Sequence, residues 1–348
     1  MQNPYSLVFG KLPNNFIERD IEIGEILETF YEEDPSIRTY IITGQRGTGK
    51  TVTLSKIEKE LRDNKEFIVL SLNSDIELLE SASEELYYLM NKQNILKKLN
   101  MNFSFPGVNI SIKDKRESAN LRLDNLLDAA TKHKKKILFC IDEVSNTTNI
   151  KSFCQAFNIW LRKDYNVLLL MTGLKKNILS LQGDDRVSFL KRAEKIELSS
   201  LSVVSIASNY IENLGVTDTV AAQMASLTKG YSYAFQVLGY LCHKTNKSYL
   251  DVLTEFDEKL TNNVYDIIWE DLTPKERLVL SIISKSDYST SDITSSNDID
   301  KNTYNEYRKI LITKGILKDC GYGKIDIILP HFAEIINRQL KYNFWSIN

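Results

Sequence analysis

The sequence predicts an α/β protein, with a doubly wound parallel sheet in its first part and a mostly helical remainder. Three observations predict this. Four short, continuous apolar runs, TYIIT (39–43), FIVLSL (67–72), ILFCID (137–142) and NVLLLMT (166–172), are bounded by polar residues, as parallel strands buried on both faces require. Segments with helical spacing lie between them: TVTLSKIEKEL, IELLESASEELYYLM, ANLRLDNLLDAA and IKSFCQAFNIWL. From about Leu201 the strand signals stop and helical patterns take over.

The first strand runs directly into GQRGTGKT, where Gly44, Gly49, Lys50 and Thr51 satisfy the spacing G-x-x-x-x-G-K-[ST] and Gly47 adds a further glycine. Glycines let the backbone curl so that successive N–H groups point inward, and the N-terminus of the following helix adds its positive dipole end. Across Gly44, Gln45, Arg46, Gly47, Thr48, Gly49, Lys50, Thr51 and Val52 the stretch is therefore a phosphate cradle. Lys50 reaches the outer phosphates and the Thr51 hydroxyl binds Mg2+. The cofactors expected are ATP or ADP with Mg2+.

Before the third strand, MNFSFPGVNISI alternates apolar and polar residues around Pro106 and Gly107, which reads as a hairpin over 102–112, packed on the domain or serving as an arm for a partner. The third strand ends in Asp142 and Glu143, at the carboxyl end where open parallel sheets bind ligands. Asp142 is expected to hold the metal and Glu143 to polarise the attacking water. The fourth strand ends in Thr172, which either orients that water or caps the following turn.

The helical part continues through VVSIASNYIENL, VAAQMASLTK, AFQVLGYLCHK and SYLDVLTEFDEKL. A third unit begins near Thr273, where TPKE offers an N-cap, a proline at the first helical position and the glutamate of a capping box. Helix, short helix, the longer helix KNTYNEYRKILITKG and two alternating strands joined by a Gly321–Gly323 turn then follow, the order of a winged helix-turn-helix. The boundaries expected are 1–200 for the sheet domain, 201–264 for the helical domain and 265–348 for the winged helix.

Composition sets limits on function. The chain has 348 residues, 43% of them hydrophobic and 26% charged, with a formal net charge of -2, so nucleic-acid contact must come from a local basic patch. Its 4 cysteines are scattered and no histidine stands at metal-ligand spacing, which argues against disulfides and structural zinc. Without a signal-like start or a membrane-spanning apolar run, the chain reads as cytoplasmic, with no membrane partner.

The loop GQRGTGKT, the strand ILFCIDE, the polar strand end at Thr172, the helical lid and the winged helix together resemble the AAA+ ATPases. Among these the likeness is to the branch joining origin-recognition initiators with archaeal and STAND-type regulatory ATPases. The opening NPYSLVFGKLPNNFIERDIEI is similar to the series that wraps adenine in many bacterial members, which implies that Phe9, Gly10, Pro13, Phe16, Ile17 and Arg19 lie near the base. This chain departs from the family in having Glu18, Arg19, Asp20 where Gly-Arg-Glu is usual, and Ser232 where the lid motif has proline. SFLKRAEKIELSSLS resembles the segment bearing the arginine finger, with Arg192 the first candidate and Arg186 the second.

The resemblance implies a slow ATPase acting as a switch, with ATP and magnesium between sheet domain and lid and nucleotide-dependent self-association. For the winged helix two partners stay open. Lys301, Arg308, Lys309, Lys314, Lys318 and Lys324 suit double-stranded DNA phosphates, whereas Asp298, Asp300, Glu306, Asp319 and Asp326 in the same segment offset them and suit a protein effector. Tyr304 and Tyr307 lie on that helix, one of them at a core position.

Overall fold

The computed structural model describes residues 2–8, 10, 13, 15–17, 19–98, 118–285, 299–321 and 324–347. The chain divides into two compact units: 19–43 with 50–197, and 1–18 with the loop 44–49 and all residues from 198 onward.

The first unit is the parallel sheet and its helices. Helix α1 (Asp20–Tyr31) precedes β1 (Thr39–Thr43), and α2 (Lys50–Asp63) and β2 (Phe67–Leu72) follow. Next come α3 (Leu78–Lys92), the single turn α4 (Ile95–Lys98), α5 (Ala119–Lys132), β3 (Lys136–Ile141), α6 (Thr148–Arg162) and β4 (Val167–Gly173). Helix α7 (Lys175–Gln182), a 3-10 segment over Asp185–Arg192 and β5 (Glu194–Glu197) complete it. All five strands are parallel, in the order β2-β3-β4-β1-β5.

The apolar runs become strands because both of their faces are covered: every residue of β1, β3 and β4 is buried. Phe139 of β3 stacks on Trp160 of α6 at 5.5 Å between centroids and meets Phe153 edge-on at 5.3 Å. Lys136 is buried at the start of β3, where its ammonium group donates to the carbonyls of Phe30, Tyr31 and Glu32 and satisfies the open C-terminus of α1.

Strand β5 and helix α1 are among the elements that have no counterpart in the sequence pattern. Strand β5 is an edge strand whose Glu194, Lys195 and Glu197 are exposed while only Ile196 is buried, so it carries no apolar run. Helix α1 has its apolar face in the core, through Ile23, Ile26, Leu27 and Phe30, and only its first turn overlaps the stretch whose sequence resembles the adenine wrap. The hairpin expected over 102–112 lies outside the described residues.

The second unit is helical apart from one hairpin. Helices α8 (Val203–Leu214), α9 (Asp218–Leu227), α10 (Ser232–Thr245) and α11 (Leu253–Leu260) are followed by a π-helical turn (Thr261–Tyr265) and α12 (Asp266–Glu270). Helix α13 (Pro274–Ile283) starts at the capping box that the sequence predicts: the Thr273 hydroxyl accepts from the Glu276 N–H, and the Glu276 carboxylate accepts from the Thr273 N–H. Helix α14 (Lys301–Thr313), the antiparallel strands β6 (Leu317–Gly321) and β7 (Lys324–Ile327), and α15 (Phe332–Lys341) complete the winged helix. The short helix expected between α13 and α14 lies outside the described residues. One core runs through the unit. In it Tyr5 from the N-terminal strap meets Phe235 at 5.6 Å and Tyr210 at 6.0 Å, and further along Tyr265 lies 4.6 Å from Phe332.

Candidate functional site

In the sheet unit, register decides which side chains meet. Strand β3 pairs with β4 so that Ile141 faces Met171, and the residues after that pair, Asp142 and Thr172, become neighbours at the carboxyl ends of their strands. On the other side of β4, Ile42 of β1 faces Thr172. Asp142 receives two hydroxyls: Thr51 Oγ1, from the first turn of α2, donates to Oδ2 at 2.7 Å, and Thr172 Oγ1 donates to Oδ1. Thr172 is fully buried.

The same Thr172 oxygen accepts the Glu143 N–H at 3.1 Å, and Asp142 Oδ1 lies at the same distance from that N–H. Glu143 has φ of 52°, in the left-handed region that non-glycine residues uncommonly adopt. Its backbone is held there while its side chain is exposed. Thr172 thus acts through Asp142 and the Glu143 backbone, more closely engaged than either role read for it from sequence.

The residues present fit a magnesium ion. Thr51 Oγ1 and Asp142 Oδ2 are hard oxygen donors 2.7 Å apart, close to the separation of about 2.9 Å between neighbouring ligands of an octahedral Mg2+. Lys50 is buried as the first residue of α2, and Val52 is half-buried in the first turn.

The glycine loop belongs to the other unit, and its contacts there are specific. Gly47 and Gly49 have φ of 76° and 95°. A Cβ on Gly47 would stand 2.1 Å from the Tyr231 hydroxyl, so only glycine fits. Three consecutive loop carbonyls accept hydrogen bonds from the start of α10. Tyr231 Oη donates to Arg46 O at 2.6 Å, the Tyr233 N–H to Gly47 O at 3.0 Å and Ser232 Oγ to Thr48 O at 3.0 Å. Thr48 closes the turn with its hydroxyl on Gln45 O at 2.9 Å, and Gln45 Nε2 donates to Lys314 O in the winged helix at 3.0 Å. Arg46 Nε is buried with no hydrogen-bond partner among the described residues.

The sequence matches the AAA domain family over residues 36–206, a span that contains all five parallel strands, and a domain of unknown function (DUF8462) over 262–336. Among solved structures, the Aeropyrum pernix ORC2 protein in its ADPNP–ADP complexes is similar at 12% identity and a TM-score of 0.60, with 97% of this chain and 98% of that chain covered. Residues 36–206 thus match an AAA domain, and the chain shares its fold with this solved structure. The ADP form of the same Aeropyrum protein matches at 11% identity and a TM-score of 0.52, again over 97% and 98% of the two chains. None of the curated proteins matches the sequence.

Other residues expected to serve the AAA+ domain are placed as follows. Phe9 lies outside the described residues. Gly10 is exposed, whereas Pro13, Phe16 and Ile17 are half-buried in the strap. The strap is tied to the lid by Asn15, whose Nδ2 donates to Asn209 Oδ1 at 2.7 Å and whose carbonyl accepts from Gln236 Nε2 at 2.9 Å. Arg19 belongs to the sheet unit, buried at the start of α1 with Glu22 3.5 Å away, and burial holds its pKa below the ordinary value.

Of the finger candidates, Arg186 grips Asp184 with two bonds of 2.9 and 2.8 Å, and Arg192 is exposed at the end of its 3-10 segment. No helix among the described residues is long and apolar enough to cross a membrane.

In the winged helix two of the six expected phosphate-binding cations are committed elsewhere. Arg308 donates to Asp319 at 2.5 Å, and Lys314 pairs at 2.7 Å with Glu276, which is buried. Lys301, Lys309, Lys318 and Lys324 remain exposed. Tyr304 is the core tyrosine of α14, and Tyr307 lies half-buried under Lys275. Tyr231 and Tyr233 carry no signal in the sequence, and Ser232 stands out there only as a departure from the family pattern.

Proposed function

We propose that the protein is a nucleotide-dependent switch that binds ATP with Mg2+ and hydrolyses it slowly. The observation that carries this reading is the convergence of Thr51, Thr172 and the Glu143 N–H on Asp142, a metal-holding acid beside a water-activating one. The AAA domain match and the nucleotide complexes of the Aeropyrum protein support it.

In this reading the loop amides and the Lys50 ammonium hold the phosphates, and Thr51 and Asp142 hold the metal, which when bound offsets charge on the phosphate oxygens. Glu143 accepts the proton of the attacking water, and Thr172 fixes the Glu143 backbone. Turnover is slow because Arg186 is engaged by Asp184, so no finger acts from it. Arg192, exposed, serves a second copy, and turnover per molecule then rises with protein concentration.

Lys50→Ala and Glu143→Gln test the assignment. The first loses nucleotide affinity. The second retains affinity and loses turnover. Undiminished binding in Lys50→Ala refutes the loop's role, and undiminished turnover in Glu143→Gln refutes that of the acid.

For the winged helix the four exposed lysines support double-stranded DNA as the partner, and a salt-sensitive, nucleotide-dependent gel shift is the expected result. A STAND-like regulatory role, with a protein effector, is favoured by the bond from Gln45 to Lys314 O, which ties the loop to this domain. ADP carried through purification, with no shift of any duplex at low salt, selects the second reading.

A further inference from the structure

The start of the lid helix α10 has its own task in this reading. We propose that Tyr231, Ser232 and Tyr233 are positioning residues for bound phosphates: they hold the loop peptides so that their amides face the ligand. The proposal rests on the nucleotide reading above and extends it to residues outside the loop.

In a planar trans peptide the carbonyl of one residue and the N–H of the next point in opposite directions. Donors on the carbonyls of Arg46, Gly47 and Thr48 therefore turn the N–H groups of Gly47, Thr48 and Gly49 away from the lid. Those groups form the kind of concavity that binds anions. The Thr48 N–H also makes a long bond of 3.4 Å to Gln45 O, within the turn itself. Because the lid engages the carbonyl side, it leaves the amide side to the ligand.

The local sequence suits this use. The N-cap of α10, Tyr231, makes no side-chain cap. The Tyr233 N–H, one of the donors a helix start leaves open, is satisfied instead by Gly47 O. Ser232 sends its hydroxyl to the loop, a bond that the proline of the family motif has no donor to make. Glycine at position 47 admits the Tyr231 hydroxyl at a distance that any Cβ would forbid.

The test displaces a fluorescent ADP analogue from the full chain with inorganic tripolyphosphate and, separately, with adenosine. Tyr231→Phe and Ser232→Ala each remove one hydroxyl. Each is expected to weaken tripolyphosphate about fivefold, and the pair about 25-fold, the worth of one net hydrogen bond apiece. Adenosine affinity stays unchanged, and Ser232→Thr, which keeps the hydroxyl, restores tripolyphosphate binding. A double variant that binds tripolyphosphate as the parent does overturns the proposal, as does an equal loss for adenosine. A parent that binds neither tripolyphosphate nor the ADP analogue brings down the nucleotide reading itself.

Discussion

Replacing Thr172 with valine tests whether this buried hydroxyl holds the acidic strand end together. The two side chains have nearly the same shape, so packing survives while two hydrogen bonds go: the donation to the Asp142 carboxylate and the acceptance of the Glu143 N–H at 3.1 Å. A hydrogen bond to a charged group contributes roughly 1.5–3 kcal/mol, so the loss is expected to be about 2 kcal/mol. At roughly 2–4 °C per kcal/mol for a unit of this size, the sheet unit melts about 4–8 °C lower. Glu143 is also freed from the hydroxyl that holds it at positive φ, and turnover falls about tenfold, a barrier increase of about 1.4 kcal/mol. Thermal melting followed by circular dichroism reads the first effect and phosphate release the second, with Thr172→Ser as the variant that keeps both. If Thr172→Val melts and turns over as the parent does, the hydroxyl holds neither Asp142 nor Glu143 and the reasoning fails.

Three further outcomes are expected. The Asp257 carboxylate, 2.7 Å from His331 Nδ1, raises the histidine pKa above its ordinary 6.5, with Arg338 and Glu334 also facing it. Because the folded value is the higher one, the contribution to stability is complete below about pH 6.5 and is lost as pH rises through the raised value. Urea midpoints across that range should show the decline in the parent and not in His331→Asn, which tolerates the same positive φ. Thr273→Ala removes half of the capping box and should cost about 1 kcal/mol in urea denaturation. If the chain binds double-stranded DNA as proposed, alanine at Lys301, Lys309, Lys318 and Lys324 should flatten the salt dependence of that binding by about 0.9 in log–log slope for each phosphate no longer neutralised, and an unchanged slope clears those lysines.

The sheet was legible because β1 to β4 are buried on both faces and therefore continuous in apolar residues. Strand β5 was not, since an edge position buries only Ile196 and leaves no run. Thr51 and Asp142 were legible from the chemistry that a phosphate loop and an acidic strand end share, and the structure brings them together. Glu143's left-handed backbone was illegible, because no short-range pattern requires it. At Ser232 a serine beginning a helix reads as an ordinary local choice, and its bond to Thr48 O joins residues 184 positions apart. The winged-helix cations show the same limit in reverse. Counting charges treats Arg308 and Lys314 like their neighbours, whereas folding pairs them with Asp319 and Glu276.

The Gln45 amide ends on a main-chain oxygen, not on a side chain. Randomising position 314 therefore removes the ammonium that meets Glu276 and still leaves the acceptor for Gln45 in place. Position 315 is different: φ of 69° and a Cβ site 2.9 Å from Gln45 Cγ strain any side chain placed there and displace the Gln45 side chain. A saturation library over this turn should thus keep the Gln45 bond at position 314, at the cost of the pair with buried Glu276, and enrich glycine at 315.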